Sequence, residues 1–149
     1  MSGGSVQGRG DFPVLRPVPT RWSDNDHYGH VNNVAYHSFV DTAVNGWLMA
    51  AAGTDVRQLP AIGLVVETRL SYLRPLSFPD PVVVGLALER LGTSSVAYAT
   101  GVFRGEDAEP AALGRFVHVY VDLLSRATVA VPLEVRAALA AAFGSPSPG

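Results

Sequence analysis

The stretch that most limits how this chain can fold is VAYHSFVDTAVNGWLMAAAG, Val34 to Gly53. Tyr36, Phe39, Val40, Ala43, Val44, Trp47 and Leu48 recur there at intervals of three and four, the period of an α-helix. The apolar stripe is broader than a helix with one face in water needs, so this helix has to be mostly buried. His37, Asp41 and Asn45, four apart, form its polar line, with His37 and Asp41 expected to satisfy each other or a facing subunit. Asn directly ahead of an apolar periodic run is an N-cap signal, which places the helix start near Asn33, and Gly53 supplies the stop.

After Pro60 the period changes to two. Ile62, Leu64, Val66, Leu70 and Tyr72 are expected to share one face of a strand that stops at Pro75. VVVGLALERL after Pro81, SVAYATGVFR after a turn at Gly92-Thr93, and FVHVYVDLL after the loop from Gly105 to Pro110 read as three more strands, joined closely enough to be antiparallel neighbours. Ahead of the helix, VLRPVPTRW has strand-like content, but Pro17 and Pro19 remove amide donors and restrict it to a short edge strand. PLEVRAALAAAF reads as a closing helix with Pro132 in its first position. The order strand, long helix, four strands, short helix is packed most economically as an α+β domain: an antiparallel sheet of about five strands wrapped around one long central helix. Residues 1–11 and 144–149, rich in Gly, Ser and Pro, read as flexible tails, leaving 12–143 as a single domain.

Composition narrows the function. Hydrophobic residues make up 48% and charged residues 16%, so a sizeable core can form. Net charge is -2, and all 11 basic groups are arginine, which argues against a nucleic-acid partner. No apolar run is long enough to span a membrane, and the Gly/Ser-rich start has no apolar signal region, so the expected location is the cytoplasm. The chain has no cysteine, which removes thiolate chemistry. No G-x-S-x-G, G-x-G-x-x-G or P-loop string occurs, against serine-elbow, dinucleotide and nucleotide-hydrolysing enzymes.

The reactive groups crowd instead into one loop. Asp24, Asp26, His27, Tyr28, His30, Asn32 and Asn33 fall within ten residues, immediately before the buried helix. A helix start offers unpaired N–H groups and a partial positive end, so a carbonyl oxygen placed there is polarised as negative charge develops on it. A carboxylate just upstream can attack that carbonyl or take a proton from water. Together these parts make an acyl-transfer site. Asp24 also reads as a turn-forming residue. The H-x-x-H of His27 and His30 lacks the helical spacing of a zinc motif, and no metal is expected. His118 reads as a hydrogen-bonded sheet residue, and Glu67 as a candidate second carboxylate or the partner of an Arg.

The run RWSDNDHYGHVNNVAY, Arg21 to Tyr36, resembles the opening of hotdog-fold acyl-CoA thioesterases of the 4-hydroxybenzoyl-CoA thioesterase type, where an acidic pair D-x-D-x-x-G leads into a helix with a Tyr near its start. YLRP (Tyr72 to Pro75), LGTSS (Leu91 to Ser95) and VPLEVR (Val131 to Arg136) are similar to the same family. The resemblance implies hydrolysis of an acyl-coenzyme A to free acid and CoA, with no cofactor beyond the thioester substrate. It gives Asp26 the role of catalytic carboxylate and Gly29 that of the motif glycine. The backbone around Asn32, Asn33 and Val34 would hold the oxyanion, and His30 and Asn33 would orient substrate or water. His30, Asn32 and Asn33 also resemble plant acyl-carrier-protein thioesterases, whose D-x-N-x-H-V-N-N run places an Asn where this chain has Tyr28. Arg74, Arg90, Ser94 and Ser95 match the positions that hold coenzyme A. A homodimer or homotetramer is implied, with the site at a subunit boundary and the partner's strand near Glu67 completing it. A non-hydrolytic acyl-thioester-binding hotdog domain and a hotdog dehydratase of 3-hydroxyacyl thioesters are the competing readings.

Overall fold

The computed structural model describes residues 8–144. Its elements are β1 (Val14–Val18), α1 (Asn33–Ala52), β2 (Ala61–Tyr72), β3 (Val82–Leu91), β4 (Ser95–Arg104), β5 (Ala112–Asp122) and α2 (Leu133–Phe143), with 3₁₀ turns at Arg9–Asp11, Trp22–Asp24 and Val56–Gln58. The strands form one antiparallel sheet in the order β1-β3-β4-β5-β2. Tyr36, Phe39, Val40, Ala43, Val44, Trp47 and Leu48 of α1, the residues of the periodic stripe, are all buried. They share a core with Val84, Leu86, Val96, Tyr98, Val102 and Phe116 from the sheet, each buried Val, Leu or Phe contributing about 1.5–3 kcal/mol. On the opposite face of the sheet Phe12, Ala87 and Phe103 form a smaller cluster. This is the hotdog fold.

Three features differ from the pattern of the sequence. β2 does not neighbour β3. β3 already has β1 on one side and β4 on the other, so β2 pairs with β5 at the far edge and the link 73–81 must cross back over the intervening strands. That link is structural, for Leu76 within it is only 1% exposed. β2 also changes face part-way. The register passes from Val65↔His118 to Glu67↔Val117, so Val66 is the extra residue of a bulge. Gly63 and Val65 before it, and Thr68, Leu70 and Tyr72 after it, oppose the concave-facing residues of β5, while Ile62 and Leu64 face outward. The even-numbered residues therefore do not share one face. Finally, β5 begins at Ala112 rather than near Phe116, because Gly114 brings no Cβ against the Arg69 carbonyl and the strands can pair to their ends.

Smaller differences lie at the ends. Arg9–Asp11, within the expected tail, form a turn fastened by Arg9 N to Ala108 O at 3.1 Å and by Arg9 Nη1 to Gly105 O at 2.7 Å. Residues 1–7 and 145–149 of the expected tails lie outside the described residues. Pro132 is the N-cap of α2 rather than its first helical residue. Among the described residues no helix is long and apolar enough to cross a membrane.

Candidate active site

The residues from Asp24 to Asn32 fold into a narrow finger ahead of α1. Asn25 and Val31 bridge across its base, Asp26 N donates to His30 O at 2.8 Å, and Gly29 N donates to Asp26 O at 3.1 Å. Gly29 has φ +84, a left-handed conformation that closes the tip and that a side chain would strain. The finger rests on the crossing link 73–81. Val31 N donates to Leu76 O at 2.7 Å, Phe78 N donates to Asn25 Oδ1 at 2.9 Å, and Ser77 Oγ donates to the Gly29 carbonyl. Asp24 is the buried anchor of the finger, 4% exposed, accepting Arg21 N at 2.7 Å and Arg21 Nη2 at 3.0 Å. Its carbonyl accepts Asn32 N at 2.7 Å.

This scaffold sets the direction of the Asp26 carboxylate. Oδ1 accepts Tyr28 N at 2.9 Å, with His30 N at 3.4 Å, while Oδ2 has no partner among the described residues. One oxygen is thus anchored and the other is left to the cleft. A similar distinction runs through the helix start. Asn32 N is committed to Asp24 O, and Val34 N to the Asn32 side chain at 2.8 Å, the N-cap bond. Asn33 N has no partner among the described residues. Of the three amides singled out in the sequence, only that of Asn33 is open to a ligand.

Two clefts meet at Asp26. One, of about 350 Å³, is walled by Asp26, His30, Asn33, Tyr36, Tyr72 and Arg74. The other, of about 400 Å³, is walled by Trp22, Ser23, Asn25, Asp26, His27 and Gly29. Burial raises the pKa of the Tyr36 phenol, opposed by a backbone bond to Leu76, and burial also raises that of Tyr72. Both phenols are therefore hydrogen-bond donors at neutral pH. Sequence reading assigned Tyr36 to the core and Tyr72 to a strand face. The signal for Tyr72 was its place at the head of the family-like YLRP run, two residues before Arg74.

The remaining candidates scatter. Arg74 stands at the cleft, ion-paired with Glu109, its N–H on Ala111 O at 3.1 Å. Arg90, Ser94 and Ser95 lie at the β3–β4 turn, at the other end of a ten-residue strand, about 30 Å from the Asp26 end. Arg136 Nη2 pins that turn through Gly92 O at 2.7 Å and Thr93 O at 3.0 Å. Glu67 faces outward, pairing with Arg115 Nη1 at 3.0 Å and Arg69 Nε at 3.9 Å, so within one chain it is on the side of the sheet away from α1. His37 bonds Thr68 rather than Asp41, and Asp41 accepts Asn45 Nδ2 at 3.1 Å. His118 lies edge-on to Phe116, ring centroids 4.9 Å apart, with Nδ1 unpaired among the described residues. Aromatic neighbours take the space a hydrogen-bonding partner would need. Among the described residues no group of three or more His, Asp or Glu could hold a metal ion.

The chain is similar to the PA5185 protein of Pseudomonas aeruginosa strain PAO1, with 45% identity over 95% of this chain and 100% of that one and a TM-score of 0.88. It is similar also to the PA2801 protein of Pseudomonas aeruginosa, described as a candidate thioesterase, at 32% identity over 86% of this chain and 98% of that one, TM-score 0.79. A thioesterase of Thermus thermophilus in complex with coenzyme A and zinc matches at 29% identity over 91% of this chain and 98% of that one, TM-score 0.74. None of the curated proteins compared with the chain matches it. The model of the thioesterase-like superfamily matches residues 20–139, from just ahead of the finger to within α2. The chain belongs to the thioesterase-like superfamily.

Proposed function

We propose that the chain hydrolyses the thioester of an acyl-coenzyme A to the free acid and CoA. The observation that carries this reading is the pairing of a carboxylate with one free oxygen, Asp26, with the N–H of Asn33 at the helix start, both unpaired there among the described residues, on the wall of a single cleft. Asp26 either attacks the thioester carbon or takes the proton of the water that does. The Asn33 N–H, at the positive end of α1, receives the oxyanion, and collapse of the tetrahedral species breaks the C–S bond and expels the thiolate; attack by water yields the free acid at once, while attack by Asp26 leaves an anhydride on its carboxylate that water then cleaves to the free acid. His30 and the Asn33 side chain orient substrate or water. The substituents of a thioester carbonyl diverge, and so do the two clefts. Arg74 marks the first for the phosphate-bearing carrier, and Trp22 with His27 marks the second for the acyl group.

The working unit in this reading is a homo-oligomer. β2 is an edge strand on which Val66 is 59% exposed, with Leu64 and Val65 beside it, and such an edge invites pairing. A two-fold pairing along β2 brings the partner's β3–β4 turn to the end of the joined sheet that carries Asp26. That supplies Arg90, Ser94 and Ser95 from the second copy, which one copy alone keeps apart from the site.

The test is release of free thiol from short, long and aromatic acyl-CoAs by the purified chain and by Asp26→Asn. Release that disappears in the variant while acyl-CoA still binds supports the reading. Binding without release would instead assign a non-hydrolytic acyl-thioester-binding domain, and hydration of an enoyl-CoA would assign a dehydratase.

A further inference from the structure

The end of β2 is tied to the start of α1 by a chain of polar side chains that the loop chemistry does not use. Tyr72 Oη donates to the Asn33 carbonyl at 3.2 Å and lies 3.4 Å from His37 Nε2. On the other side of the same imidazole, His37 Nδ1 is 2.9 Å from Thr68 Oγ1. One arrangement of hydrogens satisfies all three contacts. The phenol gives its single hydrogen to the carbonyl, so its oxygen accepts from a protonated Nε2, and the bare Nδ1 accepts from the Thr68 hydroxyl.

Thr68 and Tyr72 reach the helix only because of the Val66 bulge. Strict alternation from Gly63 and Val65 would turn both outward, and the extra residue turns both toward α1. The bond they deliver falls on the residue whose N–H is open. The finger itself holds the two residues that flank Asn33, through Asn32 N on Asp24 O and the Asn32 cap on Val34 N. Tyr72 is the side chain that references it to the sheet. The first turn of a helix is where fraying begins, and a displacement of about 1 Å at a reacting centre can cost a hundredfold in rate.

Resting on the thioesterase reading above, we propose that Tyr72, with its hydroxyl held by His37 and Thr68, is a positioning residue that holds the Asn33 carbonyl and so, through the Asn33 Cα, the N–H on its other side for the developing oxyanion. Its hydroxyl therefore acts on turnover and not on carrier binding. The ring packs edge-on against Tyr36 with centroids 5.0 Å apart, and Tyr72→Phe keeps that contact while deleting the hydroxyl alone.

The experiment compares wild type, Tyr72→Phe, Thr68→Val and Thr68→Ser in steady-state hydrolysis of an acyl-CoA and in amide hydrogen exchange along α1. The expected result is a kcat lowered about tenfold in Tyr72→Phe with KM within about twofold, a smaller loss in Thr68→Val, recovery in Thr68→Ser, and faster exchange at the hydrogen-bonded amides of Val34 and Ala35 in the two impaired variants. An unchanged kcat, a change confined to KM, or Thr68→Ser behaving as Thr68→Val overturns the assignment. If the wild type releases thiol from no acyl-CoA, the thioesterase reading falls, and exchange in the first turn that is identical with and without the Tyr72 hydroxyl overturns the positioning role on its own.

Discussion

Asp24 offers the sharpest test of how the finger is built. Asp24→Ala removes two hydrogen bonds, one to the Arg21 amide at 2.7 Å and one to the Arg21 guanidinium at 3.0 Å. They are not equal. The guanidinium is 74% exposed, so solvent screens it and its share is about 0.2–1 kcal/mol. The amide bond to a buried carboxylate is charge-assisted, worth about 1.5–3 kcal/mol. The expected loss is about 2–3 kcal/mol, which lowers Tm by about 4–12 °C in a domain of this size. Arg21→Ala deletes only the screened contact and costs no more than about 1 kcal/mol. Because Asp26 stands two residues beyond the anchor, turnover in Asp24→Ala should fall about tenfold or more, although the bond from Asn32 N to the Asp24 carbonyl survives. Differential scanning calorimetry at neutral pH and thiol release measure the two effects. Equal destabilisation by Arg21→Ala and Asp24→Ala, or an unchanged melting temperature in the latter, would refute the ranking of the two bonds.

Other consequences are checked more briefly. Burial pushes the His118 pKa down to about 4, while an unfolded histidine takes up its proton near 6.5. Between those values only the unfolded chain is protonated, so stability present above pH 6.5 is lost as pH falls toward 4, by up to about 3 kcal/mol. Melting curves across that range should show the loss in wild type and a flatter profile in His118→Phe; equal slopes would contradict it. Arg74→Ala should raise KM about five- to tenfold for an acyl-CoA and leave an N-acetylcysteamine thioester, which has no phosphates, unaffected; an equal rise for both would remove Arg74 from carrier binding. Val66→Lys, placing a charge on the β2 edge, should lower the mass in solution to that of one chain by light scattering, and an unchanged mass would place the interface elsewhere.

Much of the fold follows from short-range rules acting on the chain itself. Period three-to-four in Tyr36 to Leu48 dictated α1, with Asn32 and Gly53 as its caps, because only one side of a helix can meet a core at that spacing. Period two dictated the strands, and the clustering of Asp26, His30 and Asn33 ahead of a buried helix singled out the candidate site. Tertiary structure decided what depends on residues distant in the chain. The free edge beside β5, not proximity in sequence, took β2, and the link 73–81 became the brace of the finger. The bulge at Val66, a difference of one residue between paired strands, reversed the faces of Thr68, Leu70 and Tyr72 and sent Glu67 outward. Hydrogen bonds made within the finger left only the Asn33 amide unspent among three that look alike in sequence. Which donors stay free is settled by what folds against them, and no local pattern of residues carries that information.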